Sequence, residues 1–178
     1  ADFLRSVVSV KVEDFNSKFR AAIDRDKLRD LAKHEAFLED AFIFSKFCAS
    51  VVSLDENLAL EMAELFVPTA QQVLAKDPVQ GFHQLSHDFA STVLRVFDVL
   101  HVYVGKLKPT RRQWMIARRM CEKIDPKRVA EHISTVRPRH FQSAGFFLHF
   151  LYLSAPRKYE AVLRELDWEK LDSVIGGD

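Results

Sequence analysis

Apolar residues recur at helical spacing along the whole chain. Leu28, Leu31 and Ala32 follow the i, i+3, i+4 rule, which places side chains on one face of an α-helix. The same pattern returns at Trp114, Ala117, Cys121 and Ile124. No segment alternates cleanly between apolar and polar residues, and no Asn-Gly or Asp-Gly pair indicates a β-hairpin. The pattern therefore predicts an all-α protein.

Prolines mark several of the expected helix starts. Proline is favoured at the first position of a helix, and an Asp before it can cap the free backbone N–H groups. Four prolines fit this position, two of them behind an Asp: Pro78, Pro109, Pro126 and Pro156. The combined pattern predicts helices over residues 12–22, 25–33, 37–53, 57–66, 68–76, 80–104, 109–123, 126–135, 140–154, 157–165 and 168–175.

An internal repeat is the most informative feature of the sequence. Four segments align, at residues 23–32, 65–74, 124–133 and 166–175, with spacings of 42, 59 and 42 residues. Each has an apolar first residue, usually Asp next, and apolar residues five and nine places later. We interpret Asp24, Asp125 and Asp167 as helix caps. The second segment has Phe66 at the Asp position, so Pro68 is expected to start that helix without a cap.

Phe-rich segments follow the repeated unit at residues 37–52 and 141–155, and we expect their rings in the core, at Phe42, Phe44, Phe47, Phe146, Phe147 and Phe150. The alternative is that part of this apolar surface is an exposed groove for a partner. Periods of about 40–47 residues are typical of HEAT-like and armadillo-like stacking. The sequence thus predicts a single domain over residues 1–178, an α-solenoid of about 3.5 repeats. Chance similarity among amphipathic helices is the alternative explanation of the alignment.

One known class of protein has a comparable unit. The run Leu166-Asp-Trp-Glu-Lys-Leu171 and its earlier copies resemble the helical-repeat tails of large signal-transducing NTPases, the STAND class. The resemblance implies a superhelical sensor that binds a ligand protein or holds a switch inactive, and implies that the chain is a segment of a larger signalling protein. The sequence has no G-x-x-x-x-G-K-[ST] loop, so the resemblance assigns no nucleotide hydrolysis to it.

Composition narrows the class of protein further. Of the 178 residues 48% are hydrophobic and 29% are charged, which permits a packed core and disfavours disorder. Two cysteines, Cys48 and Cys121, are too few for a disulfide framework and indicate a reducing compartment. No apolar run reaches the length of a transmembrane helix. We therefore expect a cytoplasmic protein without a membrane span.

Charge is unevenly distributed. Residues 105–139 contain 11 Lys or Arg but only 3 Asp or Glu, a balance of +8, whereas the whole chain carries +1. Arg111, Arg112, Arg118 and Arg119 recur at a seven-residue interval and share roughly one helix face. The predicted partner-binding residues are Lys106, Lys108, Arg111, Arg112, Arg118, Arg119, Arg137 and Arg139.

This basic patch permits three interpretations. It can bind an acidic protein surface, which is the function we expect of a scaffold or sensor module. It can bind the phosphates of RNA or DNA, with an affinity that falls steeply as salt is added. It can also pair with the acidic remainder of the same chain, or simply be a solvated face.

Residues capable of catalysis form no convincing group. His83 and His87 share a helix face and could hold a metal between them, but Gln84 stands where a metalloprotease has its Glu, and a third ligand would have to come from elsewhere. Cys48 and Cys121 lie in apolar surroundings typical of buried core thiols. The sequence therefore predicts a non-enzymatic protein with no cofactor and no metal.

Overall fold

The computed structural model describes residues 24–34, 40–85, 89–96, 108–135 and 141–175. Every regular element in these ranges is helical, which confirms the all-α prediction. The elements are α1 (Arg25–Ala32), α2 (Ala41–Val52), α3 (Glu56–Lys76), α4 (Pro78–Gln84), a π-helical turn (Phe89–Val93), α5 (Arg111–Met120), α6 (Pro126–Ile133), α7 (Phe141–Ser154), α8 (Pro156–Glu165) and α9 (Trp168–Ile175). The predicted helix at 12–22 lies outside the described residues.

Side-chain caps set most helix starts. Asp24 and Asp125 accept hydrogen bonds from backbone N–H groups in the first turns of α1 and α6, and Asp167 does the same for α9. These three caps are as the repeat predicts. Pro78, Pro126 and Pro156 occupy the first position of their helices, as expected. Pro109 does not, because Thr110 caps α5, which begins at Arg111.

Two predicted helix boundaries are wrong. Segments 57–66 and 68–76 form one continuous helix, α3, and Pro68 lies inside it instead of at a start. The predicted helix over 80–104 is interrupted, because α4 ends at Gln84 and residues 94–96 follow the π-helical turn without helical structure. Arg95 there has a φ of 53°, a left-handed conformation that a helix cannot continue through.

Contacts between Phe side chains organise the core. Phe44 of α2 stacks on Phe66 of α3 with ring centroids 4.5 Å apart, and Phe89 meets the edge of Phe66 at 5.9 Å. Phe82 of α4 lies 5.0 Å from Phe150 of α7. Of the six phenylalanines predicted for the core, four are buried and Phe146 packs on the core at half burial. Phe42 is the exception, since 51% of its surface is exposed.

Helix α3 is central to the described part of the chain. It packs against α1, α2, α4, α5 and the π-helical turn. Around it, α1 and α2 both contact α3 in the first half, while α6 and α7 both contact α8 in the second half. The two halves are joined by contacts of α4 with α6 and α7 and of α5 with α7. This arrangement brings α5, the centre of the predicted basic patch, alongside α3.

Candidate interaction surface

The inner side of helix α5 makes both apolar and hydrogen-bonded contacts with the rest of the structure. Ile116, Ala117 and Met120 are buried in the core. Gln113 is also buried; its amide nitrogen donates to the carbonyl of Val93 at 2.9 Å, and its carbonyl oxygen accepts from the backbone N–H of Thr110 at 2.8 Å. These contacts fix the rotation of α5 about its axis, so its remaining side chains have defined directions.

Two side chains donate hydrogen bonds to backbone carbonyls at, or just after, the C-terminal end of α5. The amide nitrogen of Gln71 on α3 donates to the carbonyl of Arg119 at 2.6 Å. The Lys158 ammonium of α8 donates to the carbonyl of Ile124 at 2.6 Å, just after this end. The first donor binds a carbonyl in the last turn of α5 and the second a carbonyl of the segment that follows it, so side chains of α3 and α8 anchor this region from two sides.

Arg112 is the one predicted binding residue whose side chain forms an ion pair within the described structure. Its Nε and Nη2 atoms donate to the two carboxylate oxygens of Glu64 on α3, at 2.8 and 3.0 Å. The pair lowers the pKa of Glu64 and raises that of Arg112, chiefly through these hydrogen bonds. A bidentate pair of this kind fixes the geometry of both side chains. For Arg112, the interpretation that the basic patch pairs with acidic residues of its own chain therefore applies.

The other predicted cations of α5 differ from Arg112. Arg111, Arg118 and Arg119 are exposed, as is Lys108 before the helix. Within the described residues, none of their side chains forms an ion pair or a hydrogen bond. Lys106, Arg137 and Arg139 lie outside the described residues. The patch thus includes three arginines on one helix whose charge is available to a partner.

An apolar side chain lies among these arginines. Met115 follows Arg111 by four residues and precedes Arg118 and Arg119 by three and four, so all four share one face of α5. Met115 is 52% exposed. We call Arg111, Met115, Arg118 and Arg119 the α5 outer face. Met115 is not among the predicted partner-binding residues, although its spacing of four residues from Arg111 is a signal that could have identified it.

A second exposed apolar residue lies on the neighbouring helix. Leu65 of α3 is 43% exposed. In the sequence it lies between Glu64 and Gln71, and these two residues bind Arg112 and Arg119 of α5, respectively. Met115 lies between those two arginines. Both apolar side chains therefore belong to the stretch, about 10 Å long, where α3 and α5 run side by side. The surface there combines apolar area with a positive charge.

The three glutamates of α3 each bind an arginine from another segment of the chain. Glu61 accepts from Arg29 of α1 at 2.8 Å, and Glu56 accepts from Arg95 at 3.0 Å. Together with Glu64 these carboxylates neutralise arginines from three separate segments. Among the described residues, these carboxylates form no ion pair with Arg111, Arg118 or Arg119, although the charge of Arg119 helps to lower the pKa of Glu64.

The histidine pair and the two cysteines are the candidates for metal binding and catalysis. His83 is exposed, and His87 lies outside the described residues. Within the described ranges, no three His, Cys, Asp or Glu side chains are close enough together to hold a metal ion. Burial raises the pKa of Cys121 to about 12 and that of Cys48 well above its usual value, so neither thiol is poised as a nucleophile. No helix of the described residues has the length and apolar character needed to cross a membrane.

Comparison of the chain with protein-family models, with curated proteins and with solved structures finds no match.

Proposed function

We propose that this chain is a non-enzymatic protein-interaction module, a stack of HEAT- or armadillo-like helical repeats that acts as a sensor or scaffold within a larger cytoplasmic signalling protein. Two features support the stacked architecture: the repeated Asp caps of α1, α6 and α9, and the common packing of α1 and α2 on α3 and of α6 and α7 on α8. The two unpaired cysteines support the reducing compartment.

The α5 outer face is the proposed contact surface. The observation that carries the proposal is the presence of three exposed arginines, without an ion pair among the described residues, around the exposed side chain of Met115. Arginine together with an exposed apolar side chain is typical of the residues that dominate protein–protein interfaces. Arg112 contributes by positioning, since its pair with Glu64 holds α5 against α3.

The test compares two charge-reversal variants in an affinity capture of partner proteins. In the first, Arg111, Arg118 and Arg119 are replaced by Glu, while Arg112 is kept because its loss would disturb the contact with α3. In the matched control, the exposed cations Arg157, Arg164 and Lys170 are replaced by Glu, which changes the net charge equally. We expect the first variant to lose partners that the native chain and the control retain, with unchanged circular dichroism. Retention of every partner by the first variant would refute the proposal.

Nucleic-acid binding by the same cations is the second candidate, favoured by the exposed arginines themselves. Binding to phosphates alone would show a steep decrease in affinity between low and physiological salt and little dependence on an apolar residue. Fluorescence anisotropy with single- and double-stranded nucleic acid, at low salt and at about 0.15 M salt, measures this directly. We expect no binding at physiological salt beyond the weak, sequence-independent level common to basic surfaces.

A further inference from the structure

Resting on this proposed function, we infer that the partner segment bound by the α5 outer face is an acidic amphipathic helix, whose apolar side chains contact Met115 and Leu65 while its carboxylates meet Arg111, Arg118 and Arg119.

The positive charge of the α5 outer face favours an acidic partner. Arg111 and Arg118 lie seven residues apart, about 10 Å along the helix, with Met115 between them and Arg119 beside Arg118. None of the three arginines forms an ion pair within the described residues. Guanidinium groups bind carboxylates in a planar, bidentate geometry, as Arg112 already does with Glu64. Carboxylates of a partner would repeat that contact outward.

The exposed apolar side chains of Met115 and Leu65 favour an amphipathic partner segment over one that is only acidic. Met115 and Leu65 leave roughly half of their surfaces in water, at 52% and 43%. Methionine adapts its unbranched side chain to differently shaped partners, which suits it to binding surfaces. The apolar stripe of an amphipathic helix can lie along the stretch where α3 and α5 run side by side and cover both residues at once.

One substitution separates this partner from a polyanion. Met115→Lys adds a cation in the middle of the arginines. A nucleic acid, or any ligand held by charge alone, would then bind more tightly. An acidic amphipathic helix would bind more weakly, because the new ammonium group would face its apolar stripe and lose hydration there without gaining a carboxylate partner. Because Met115 is 52% exposed and is not among the hydrophobic side chains packed against the core, the variant is expected to fold.

The probe is a fluorescent synthetic peptide of about 18 residues, five helical turns, with Leu along one face and Glu elsewhere. Its control has the same composition with Leu distributed around the helix. Anisotropy titrations at about 0.15 M salt compare the native chain with Met115→Lys, Leu65→Lys and Tyr152→Lys. Tyr152, on α7, is 54% exposed and serves as the matched control for replacing an exposed apolar side chain by Lys.

We expect the amphipathic peptide to bind the native chain more tightly than the control peptide, and Met115→Lys and Leu65→Lys each to weaken it about tenfold. Tyr152→Lys should bind as the native chain does. Equal binding of both peptides, or binding to Met115→Lys as tight as to the native chain, would overturn the inference. That result would leave the broader proposal intact, because the broader proposal fails only if the triple Arg→Glu variant keeps its partners. Tighter binding of duplex nucleic acid by Met115→Lys, with no peptide binding, would identify the ligand as a polyanion.

Discussion

Glu64 separates Arg112 from the other arginines of α5, because it accepts two hydrogen bonds from the Arg112 guanidinium across the contact between α3 and α5. Arg111, Arg118 and Arg119 are similar in sequence context but end in solvent. Residues of one type, a few positions apart, thus have different roles: one holds two helices together and three are available to a partner.

The Arg112–Glu64 pair should make a measurable, pH-dependent contribution to stability. Both side chains are more than a third exposed, so we expect Glu64→Gln to lower the free energy of unfolding by only about 1 kcal/mol at neutral pH. The pKa of Glu64 is lowered in the folded state from its usual 4.5. The contribution is therefore complete above the unfolded-state value and is lost as the pH falls through the lower folded-state pKa.

Urea denaturation of the native chain and Glu64→Gln, followed by circular dichroism from about pH 7 to about pH 3, measures this difference. Glu165→Gln is the control, because Glu165 is exposed and forms no ion pair within the described residues. A difference between native chain and Glu64→Gln that stays constant down to the lowest pH would contradict the assignment.

The sequence was sufficient to place the arginines of α5 on a different face from Ala117 and Cys121, because helical spacing separates them, but it left open whether that face is exposed to solvent. It could not predict the partner of Arg112. Glu64 lies 48 residues earlier, and only the packing of α3 against α5 brings the two together. Tertiary pairing of charged residues leaves no periodic signal.

At the level of the elements, α3 shows why a proline is an ambiguous signal. Pro68 was predicted to start a helix, yet α3 continues through it from Glu56 to Lys76. The pyrrolidine ring prevents the hydrogen bond to the carbonyl of Glu64, but Pro68 is exposed, so water can reach that carbonyl. Packing of α3 against helices on several sides outweighs the local penalty.

Replacing this proline should therefore stabilise the protein. Pro68→Ala restores a backbone hydrogen bond and removes the steric conflict of the ring, and we expect the free energy of unfolding to rise by about 1–3 kcal/mol. The measurement is the midpoint of urea denaturation at unchanged slope. Pro156→Ala is the control, since a proline at the first position of a helix breaks no internal hydrogen bond. A decrease in stability of Pro68→Ala would mean that the ring makes a contact of its own.

At the scale of the whole molecule, the repeat in the sequence is only partly a repeat in the structure. Three of its four copies begin with an Asp-capped helix, as the alignment predicts. The second copy has Phe66 at the Asp position, and this ring is completely buried against Phe44 and Phe89. A buried ring at this position leaves no capping side chain, and the segment continues as part of α3. Periodicity predicted the class of fold, whereas this departure depends on packing.

Burial of both thiols gives a probe of the whole fold. Cys48 and Cys121 are fully buried, and burial raises the pKa of each. At about pH 8 the native chain should therefore react with a disulfide reagent only when it unfolds, whereas the chain in denaturant should react at once. Ser53→Cys, which places a thiol at an exposed turn, is the positive control and should react rapidly. Rapid labelling of a native cysteine would show that its surroundings open locally.

The ion pairs of α3 have a consequence for how the protein unfolds. Its carboxylates at Glu56, Glu61 and Glu64 bind arginines that lie 39, 32 and 48 residues away in the chain. In a linear array of repeats each unit touches only its neighbours, so the end units can fray independently. Here the detachment of α1 or of α5 leaves a carboxylate on α3 without its cation. Unfolding of α3 would release all three arginines at once, so three distant segments of the chain depend on the integrity of this one helix.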